Sequence, residues 1–480
     1  MFNLSKTASK TKYQRNLLFA AMLSFLWVGL VASAGRSRAD FSNVTDHFIY
    51  LPVIAKAPIE GLDFLNIERI SLGSSGEQGN GASSRPTISD NGRFVAFVSA
   101  ASNLVEDDTN NEDDIFVYDR ETGLITRVSV DSQGNEANRD SEFPSISSDG
   151  RFVAFASRAS NLVEEDTNGE SDIFVHDRET GETTRVSVDS DGNQGYDFGS
   201  GDGSEHPAIS GNGRFVAFDS TFFNLTAEDG DYRGIFVHDR QTKETTLISI
   251  DHSGEGANAP SFYPDISNDG RYVAFYSIAK DLIPSKIAAP EDFNPEGGQL
   301  FIRDRQTSAI SRITSDSNGE PGNNDSYLPS ISGDGRFVTY ETMATNLSDN
   351  DSNESLDILL YDSTTITTQR ISVSNNGTEA DSWSYLPKIS NNGYFIVYHS
   401  YATNLVANDT NGMGDIFFYN IDKQYTQRLS RSNSGAEGNG RSQRATMSAD
   451  GTVVVFESEA SNLVGGDTNA QSDIFIVQLD

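Results

Sequence analysis

The chain carries seven tandem copies of one β-rich repeat, and the copies are out of register with the ends of the chain. A representative copy runs from Pro144 to Val188, with the sequence PSISSDGRFVAFASRASNLVEEDTNGESDIFVHDRETGETTRVSV. The last copy starts at Ala445 and stops after SDIFIVQLD, before any strand similar to RVSV. That strand occurs instead near the start, as Glu68 to Leu72, ahead of the first complete copy. A tandem array with its boundary shifted in this way indicates a ring closed by both ends of the chain.

Each copy contains four β segments. In the representative copy they are Pro144 to Ser147, Arg151 to Phe155, Asp172 to Asp177 and Thr184 to Val188. The second segment is apolar throughout, which predicts burial on both faces, and the fourth alternates as an outer strand does. The pattern predicts an all-β fold, a seven-bladed β-propeller of four-stranded antiparallel blades, with residues 68–72 completing the last blade. The alternative is an open β-solenoid, which has no need of a strand from the far end.

The order of strands predicts two different ends for every blade. Short turns join strands one and two, where Gly150 can adopt the positive φ of a tight turn, and strands three and four. The loops between strands two and three, and the segments between blades, lie at the opposite end and are longer and more polar. We call this end the long-loop face, and we expect it to be the working surface of the domain.

The first 65 residues do not match the repeat. Residues 1–34 have a basic leader, a mostly apolar run from Leu17 to Val31 and a small-residue end at Ala32 to Ala34, as in a cleaved signal peptide. The alternative is an uncleaved membrane anchor, because the run is about long enough to span a bilayer. Residues 35–65 are predicted to be a linker or tether, and residues 66–480 the propeller. The protein is therefore expected outside the cell or in the cell envelope.

The composition restricts the partners of such a domain. Without residues 1–34, which contain four basic and no acidic side chains, 31 basic and 70 acidic side chains remain, a net charge of −39. This charge disfavours binding to nucleic acid or to an anionic membrane, and we expect a monomer. The chain has no cysteine, so a secreted domain of this kind must be stabilised by its core, by ring closure or by a metal ion.

The repeat resembles a known family. S-x-D-G-R-F-V-A-F followed by D-I-F-V-x-D-R is similar to the TolB-type, WD-like propeller repeat of bacterial proteins, over about residues 66–480. The resemblance implies a propeller and no particular activity, because propellers have many roles. The family's periplasmic namesake carries an α/β domain before its propeller, for which residues 35–65 are too short. Related hydrolases carry G-x-S-x-G, which this sequence lacks. The aromatic position of the family motif is matched by Phe94, Phe152, Phe215, Tyr272, Phe337 and Phe395.

The loop between strands two and three carries a D-x-N-x-x-x-D motif in five copies. Oxygen side chains at this spacing suit a hard cation, so one interpretation of the motif is a binding site for Ca²⁺ as a cofactor. The alternative is a structural role, in which Asp and Asn side chains accept hydrogen bonds from nearby backbone amides. The third copy keeps Asp229 and Asp231 and is shorter, and the fourth replaces the loop with residues 284–299. The candidate ligands are Asp108, Asn110, Asp114, Asp166, Asn168, Asp172, Asp351, Asn353, Asp357, Asp409, Asn411, Asp415, Asp467, Asn469 and Asp473.

The loop motif begins with A-S-N-L or A-T-N-L, as at Ala101 to Leu104. We expect the asparagine to bond loop backbone groups and the leucine to fill space between blades. Aromatic residues in the segments between blades predict a site for a sugar or a peptide on the long-loop face. The alternative is that they fill the mouth of the channel. The candidate ligand-binding residues are Phe143, Tyr263, Tyr327, Trp383 and Tyr385; Tyr196, Phe198 and Phe262 lie in equivalent segments.

No catalytic residue is predicted. The histidines share no motif, since His206, His252 and His399 lie in different copies and His176 and His238 match Tyr118. The sequence therefore predicts a secreted, non-enzymatic binding or scaffold propeller whose ligand is an unknown protein or surface glycan. One alternative is a lyase or glycosidase with its site at the central channel, which a cluster of histidines and carboxylates there would favour. The other is a structural cell-surface protein without a discrete ligand.

Overall fold

The structure is a computed structural model that describes residues 64–197, 202–228, 230–284 and 297–479. All of these residues belong to the second of two compact units, which spans Pro58–Asp480. The predicted signal peptide, residues 35–63 of the predicted linker, Phe198, Asp229 and most of the loop at 284–299 lie outside the described residues. No helix in the described part of the chain is long and apolar enough to cross a membrane.

The described residues form 28 strands in seven four-stranded antiparallel sheets, which are the predicted blades. The first strand, β1, stands alone ahead of the first blade, and the other strands follow in six groups of four and a last group of three, which β1 completes. The strands are β1 (Phe64–Arg69); β2 (Ser83–Ile88), β3 (Phe94–Ser99), β4 (Asp114–Asp119), β5 (Leu124–Arg127); β6 (Ser141–Ile146), β7 (Phe152–Ser157), β8 (Asp172–Asp177), β9 (Glu182–Arg185); β10 (Ser204–Ile209), β11 (Phe215–Ser220), β12 (Gly234–Asp239), β13 (Thr245–Leu247); β14 (Ser261–Ile266), β15 (Tyr272–Ser277), β16 (Gln299–Asp304), β17 (Ile310–Arg312); β18 (Ser326–Ile331), β19 (Phe337–Thr342), β20 (Asp357–Asp362), β21 (Thr367–Arg370); β22 (Ser384–Ile389), β23 (Phe395–Ser400), β24 (Asp415–Asn420), β25 (Tyr425–Arg428); β26 (Ser442–Met447), β27 (Val453–Ser458) and β28 (Asp473–Leu479).

The N-terminal strand closes the ring, as predicted. The seventh blade has the order β1-β28-β27-β26, and β1 pairs antiparallel with β28, with Ile67 opposite Val477. The predicted bounds of this strand, 68–72, are wrong, since β1 spans Phe64–Arg69 and so begins within the predicted linker. The same shift occurs in β9, which ends at Arg185. After the arginine one backbone bond remains, from Ile70 N to the carbonyl of Ile474 at 2.9 Å, and the amide of Ile474 donates to Ser71 Oγ at 3.1 Å.

The core consists of seven apolar clusters, one between each pair of neighbouring blades. The cluster between the seventh and first blades joins Val455 and Ile474 to Val95 and Phe97, all of which are buried. Second strands such as β7 are buried along almost their whole length, as their continuous apolar sequence predicts. Because every blade packs on two neighbours, the stability of each blade depends on the closure of the ring.

The tight turn between strands one and two uses its glycine for a reason beyond backbone conformation. Gly150 has a φ of +77°, and a Cβ atom built on it would lie 2.1 Å from Cδ2 of Phe94 in the preceding blade. The turn of one blade therefore lies directly on the first aromatic residue of its neighbour. A side chain at this position would collide with the neighbouring blade, so the turn requires glycine for space as well as for conformation.

Candidate functional site

Seven side chains form a ring around the central channel, one from the first strand of each blade. Each belongs to the residue before the repeated proline, or before Ala445 in the last blade. A β-bulge lies at this position: Ser84 pairs with Val98 and Thr87 with Ala96, so two residues of β2 oppose one residue of β3. We call these residues the channel ring. They are Arg85, Phe143, His206, Tyr263, Leu328, Leu386 and Arg444.

The backbone of the channel ring is strained in every blade. All seven residues have φ between 49° and 56°, a left-handed conformation that is unfavourable for residues other than glycine by about 1–2 kcal/mol each. Three of the strained amides donate to a buried carboxylate on the second strand of the preceding blade. The acceptors are Glu457 for Arg85 (2.7 Å), Asp219 for Tyr263 (3.1 Å) and Glu341 for Leu386 (2.7 Å). Strain repeated in this way is typical of a site whose side chains must point in a defined direction.

The channel ring lines a cavity of about 270 Å³ that is built by the first strands of all seven blades. The rest of the wall is largely the repeated prolines, so much of it is apolar. Its charged side chains are Arg85, Arg444 and Lys388, on three consecutive blades, and the carboxylate Asp265. The facing arc carries Phe143, His206 and Tyr263. The cavity is therefore cationic on one side and aromatic on the other, inside a strongly acidic chain.

A polar cap crosses the channel at the short-turn end, beyond the cavity. Asp90, in the first turn of the first blade, accepts hydrogen bonds from Ser148 (2.5 Å), from Asn268 (3.2 Å) and from Asn391, which belong to the second, fourth and sixth blades. Neighbouring turns are also joined by backbone bonds, such as Ala449 N to Asp90 O at 3.0 Å. Because this cap spans the channel, the cavity opens toward the long-loop face.

His206 has a carboxylate partner at the channel. Its Nδ1 lies 2.9 Å from Oδ2 of Asp219, a buried residue that Arg233 also contacts. The imidazole lies between the rings of Phe143 and Tyr263, with ring centroids 4.4 Å and 4.5 Å away. A histidine oriented by an aspartate can act as a general base, because the carboxylate favours a donor at Nδ1 and leaves Nε2 to accept a proton.

The structure separates the five predicted ligand-binding aromatic residues. Phe143 and Tyr263 belong to the channel ring and line the cavity. Tyr327 packs on Tyr276, with ring centroids 5.1 Å apart, and Tyr385 packs on His399 at 4.4 Å. Trp383 lies away from the cavity wall with 53% of its surface exposed. Only two of the five therefore share one site.

Each D-x-N-x-x-x-D loop surrounds an arginine of its own blade. The arginine that ends the fourth strand places its guanidinium 3.1–3.7 Å from carboxylate oxygens of both aspartates. We call these groups the arginine clusters. They are Arg127 with Asp108 and Asp114, Arg185 with Asp166 and Asp172, Arg370 with Asp351 and Asp357, Arg428 with Asp409 and Asp415, and Arg69 with Asp467 and Asp473.

The asparagine of the motif stabilises the loop through hydrogen bonds. Asn110 Oδ1 accepts from the amide of Glu112 (3.0 Å), and its Nδ2 donates to Asp114 (2.9 Å) and to the carbonyl of Ala137 (3.0 Å). Asn168, Asn353, Asn411 and Asn469 also bond the backbone on both sides. These bonds support the structural alternative for the motif.

The predicted calcium site coincides with the arginine clusters. A Ca²⁺ ion bound by both aspartates would occupy the position that the guanidinium fills, so calcium binding stays a prediction that requires the arginine to move. Burial raises the pKa of Asp108, Asp172, Asp357 and Asp409 to about 6, against the opposing effect of the arginine. In blade five, Asp351 Oδ1 and Asp357 Oδ2 are buried without a hydrogen bond among the described residues.

The loop asparagine of the A-S-N-L motif has the predicted structural role. Asn103 Oδ1 accepts from the amide of Asn80 at 2.9 Å, and its Nδ2 donates to the carbonyl of Gln78 at 2.9 Å. Leu104 is buried in the cluster between the first and seventh blades. Both parts of this prediction are confirmed.

Glu341 provides a pH-dependent stability test. It is 7% exposed, and burial raises its pKa from 4.5 to about 7 despite the hydrogen bond from Leu386. A raised folded-state pKa favours folding below the ordinary value, and this contribution is lost as the pH rises through about 7. Glu341→Gln should therefore leave urea stability nearly unchanged at pH 5 and increase it at pH 8 by about 2–3 kcal/mol.

Glu457→Gln is the matched control for this variant. Glu457 occupies the same strand position in the seventh blade, but it lies 3.8 Å from Arg444 and accepts from Gln443 at 2.6 Å. Its replacement should destabilise the domain at pH 8. A Glu341→Gln protein that is less stable than the parent at pH 8 would contradict the account of Glu341.

Sequence reasoning missed most of the channel ring. No residue type recurs at this position, so the repeat pattern predicts no ligand-binding role for five of the seven residues. These are Arg85, His206, Leu328, Leu386 and Arg444. The sequence does carry a signal, because two adjacent positions of the repeat differ in how much they vary. One is proline in six copies and alanine in the seventh, whereas the position before it is Arg, Phe, His, Tyr, Leu, Leu and Arg in turn. Variation at one position of a conserved internal repeat indicates a surface selected for something other than packing.

Comparison with known proteins agrees with the fold. No protein-family model matches the chain, and a search of curated proteins gives no significant match. The β-propeller domain of the Trilobed protease from Pyrococcus furiosus matches with 13% identity and a TM-score of 0.50, over 83% of this chain and 93% of that chain. That domain has an open velcro topology, whereas β1 closes the ring here.

Two further solved structures are similar at a coarser level. TolB from Acinetobacter baumannii is 15% identical with a TM-score of 0.39, over 71% of this chain and 64% of the TolB chain, so the match spans less than two thirds of TolB. Oligogalacturonate lyase from Vibrio parahaemolyticus is 14% identical with a TM-score of 0.49, over 87% of this chain and 98% of the lyase. The seven four-stranded blades confirm the predicted propeller as a statement of fold. The fold alone does not distinguish a binding protein from an enzyme.

Proposed function

We propose that the chain is a secreted, monomeric binding propeller that takes a negatively charged group of its ligand into the central cavity from the long-loop face. The main support is that the cavity wall is positively charged whereas the chain as a whole is strongly negative. Three cationic side chains and one carboxylate line it, in a chain whose net charge is −35. A cationic cavity with an apolar wall favours an anionic ligand that is partly desolvated on binding.

The rest of the surface supports a protein or glycan ligand over other partners. The acidic surface repels nucleic acid and anionic lipid, so neither is proposed as a partner. Location outside the cell or in the envelope rests on the signal-like sequence of residues 1–34. Calcium bound at the D-x-N-x-x-x-D loops would act on stability, since these loops lie outside the cavity wall.

The test is calorimetric binding of a panel of acidic and neutral oligosaccharides and peptides to the parent protein and two matched variants. Arg444→Ala removes a charge from the cavity wall, and Arg441→Ala removes one nearby that pairs with Glu459 and does not line the cavity. We expect Arg444→Ala to weaken binding of an acidic ligand at least tenfold and Arg441→Ala to change it less than twofold. Equal effects of both variants would contradict a site in the cavity, and binding of neither ligand class would favour a structural protein.

A second candidate function is catalysis at the same cavity. The observation that favours it is the pairing of His206 with Asp219, next to Glu205 and Arg233. This arrangement suits proton abstraction from a bound acid by His206 Nε2. Recovery of the bound ligand unchanged after prolonged incubation would exclude catalysis on that ligand, whereas turnover that His206→Gln abolishes would establish it.

A further inference from the structure

The cavity has the shape of a site for the end of a chain. Its wall is the ring of first strands, and the hydrogen-bonded cap around Asp90 crosses the channel behind it. Its volume of about 270 Å³ is enough for one or two residues of a polymer. A segment from the middle of a polymer needs a groove or two openings, so this geometry favours a terminus that enters from the long-loop face.

The charge of the wall selects the kind of terminus. Arg85 and Arg444 lie on neighbouring blades. Burial, and then the positive charge of Arg444, lowers the pKa of Arg85, against the opposing charges of Glu142, Glu457 and Glu205. The guanidinium of Arg85 lies 4.1 Å over the ring of Phe143 and has no ion pair among the described residues. Within the described part of the chain Arg444 has one ion pair, with Glu457 at 3.8 Å, and that carboxylate already accepts from the amide of Arg85. Two adjacent, poorly paired guanidinium groups favour a carboxylate and repel an amino terminus.

The remaining wall selects the group next to that carboxylate. Leu328, Leu386, Phe143 and the repeated prolines contribute apolar surface close to the two arginines. Against this apolar part of the wall the hydroxyl groups of an acidic sugar would lose hydrogen bonds to water without gaining new partners. An apolar side chain gains from the same contact, because its surface is removed from water.

We propose that the cavity binds the C-terminal carboxylate of a partner polypeptide whose last residue is apolar, with the carboxylate at Arg85 and Arg444 and the side chain against Leu328 and Leu386. This assignment rests on the proposed function and specifies its ligand. The partner inserts its chain end into the channel, while the long-loop face contacts the residues that precede it.

The test uses the full chain and two synthetic peptides, Gly-Gly-Ser-Gly-Phe as the free acid and as its C-terminal amide, with binding measured by calorimetry. We expect the free acid to bind at least tenfold more tightly than the amide. In Arg85→Met, which keeps the contact with Phe143 and removes the charge, the two peptides should bind within threefold of each other. Arg441→Met should retain the full difference, and unchanged melting temperatures would show that both variants fold.

The other outcomes separate this inference from the proposed function. Equal affinity of the acid and the amide for the parent protein would overturn the carboxylate site. Binding of trigalacturonate that Arg85→Met weakens, without binding of either peptide, would overturn the peptide assignment and leave an anion-binding cavity in place. If none of the three probes binds, the peptide assignment is wrong, and loss of acidic-panel binding in Arg444→Ala remains the separate test of the cavity.

Discussion

A chain that lacks residues 64–72 should be unfolded at 25 °C. These residues supply the fourth strand of the seventh blade and bury Ile67 and Ile70, each worth about 1.5–3 kcal/mol. Their loss also removes Arg69 and Ser71 from the buried carboxylate of Asp473, which adds about 3–5 kcal/mol for an unpaired charge. The sum approaches the whole stability of an ordinary domain, about 5–15 kcal/mol. Circular dichroism and calorimetric melting measure the effect.

Point variants keep this prediction testable where the shortened chain gives no soluble protein. Ile67→Ala should lower the free energy of unfolding by about 2–5 kcal/mol, because Ile67 is 1% exposed in the cluster between the sixth and seventh blades. Leu124→Ala, on the fourth strand of the first blade and 63% exposed, should change it by less than about 0.5 kcal/mol. A synthetic peptide of residues 64–72 should restore melting of the shortened chain. Normal melting of that chain without the peptide would show that the ring closes by other means.

Replacement of Arg428 by methionine should destabilise the domain by about 3–5 kcal/mol. The guanidinium of Arg428 lies 3.2 Å from Asp409, 3.5 Å from Asp415 and 2.8 Å from Glu437. Asp415 has a side chain only 1% exposed, so removal of the arginine leaves a buried charge without its counter-ion. The shift of the urea midpoint at pH 8 measures the loss. The loss of stability should be smaller at pH 5, because burial raises the pKa of Asp409 to about 6. Protonated Asp409 carries no negative charge, so the loop depends less on the arginine.

The fourth blade supplies a matched control for Arg428→Met. Arg312 occupies the same strand position, but Gln299 replaces the aspartate, and the guanidinium bonds Ser315 Oγ (3.0 Å) and the carbonyl of Gly319 (2.9 Å). Arg312→Met should therefore lower stability by only about 1 kcal/mol. In the third blade both the aspartate and the arginine are absent, and Gly234 and Leu247 occupy these positions. Their joint absence is consistent with an arginine that serves to neutralise the aspartate. Equal losses in both variants would contradict the account of the clusters.

The same proteins separate an arginine from a calcium ion as the positive charge in these loops. If the guanidinium neutralises the aspartates, treatment of the parent protein with EDTA leaves its melting temperature unchanged. Millimolar Ca²⁺ should then stabilise Arg428→Met more than the parent, because only the variant has unpaired ligands in this loop. A parent protein that loses stability in EDTA and recovers it with Ca²⁺ would instead establish the predicted metal sites.

The fold was predictable because its information is local and repeated seven times. The S-D-G turn, the apolar second strand and the D-I-F-V third strand each specify a hydrogen-bonding or burial pattern within one copy. Strand bounds were less accurate, since β9 ends at Arg185 and the serine two residues later bonds the ladder with its side chain. That exchange of backbone for hydroxyl has no signature in hydrophobic periodicity.

The candidate site was less predictable than the fold. All four of the aromatic residues Phe143, Tyr263, Trp383 and Tyr385 lie in segments between blades, but only the first two line the cavity. The aspartates of each loop motif share an arginine as their partner. In the sixth blade this is Arg428, which lies 13 residues beyond Asp415, on another strand. Such ion pairs are hard to predict from sequence, because the two residues lie on different strands and no regular spacing along the chain relates them.

The repeat pattern alone predicts the number of blades, the four-stranded unit, the closing strand and the two different ends of each blade. Each of these follows from a pattern within one copy or from the offset between copies and chain ends. Which side chains come into contact depends on how the blades are arranged in space. The channel ring joins seven residues from Arg85 to Arg444, each displaced by a bulge into a common cavity. Their meeting depends on the curvature of the closed ring, which no single copy encodes.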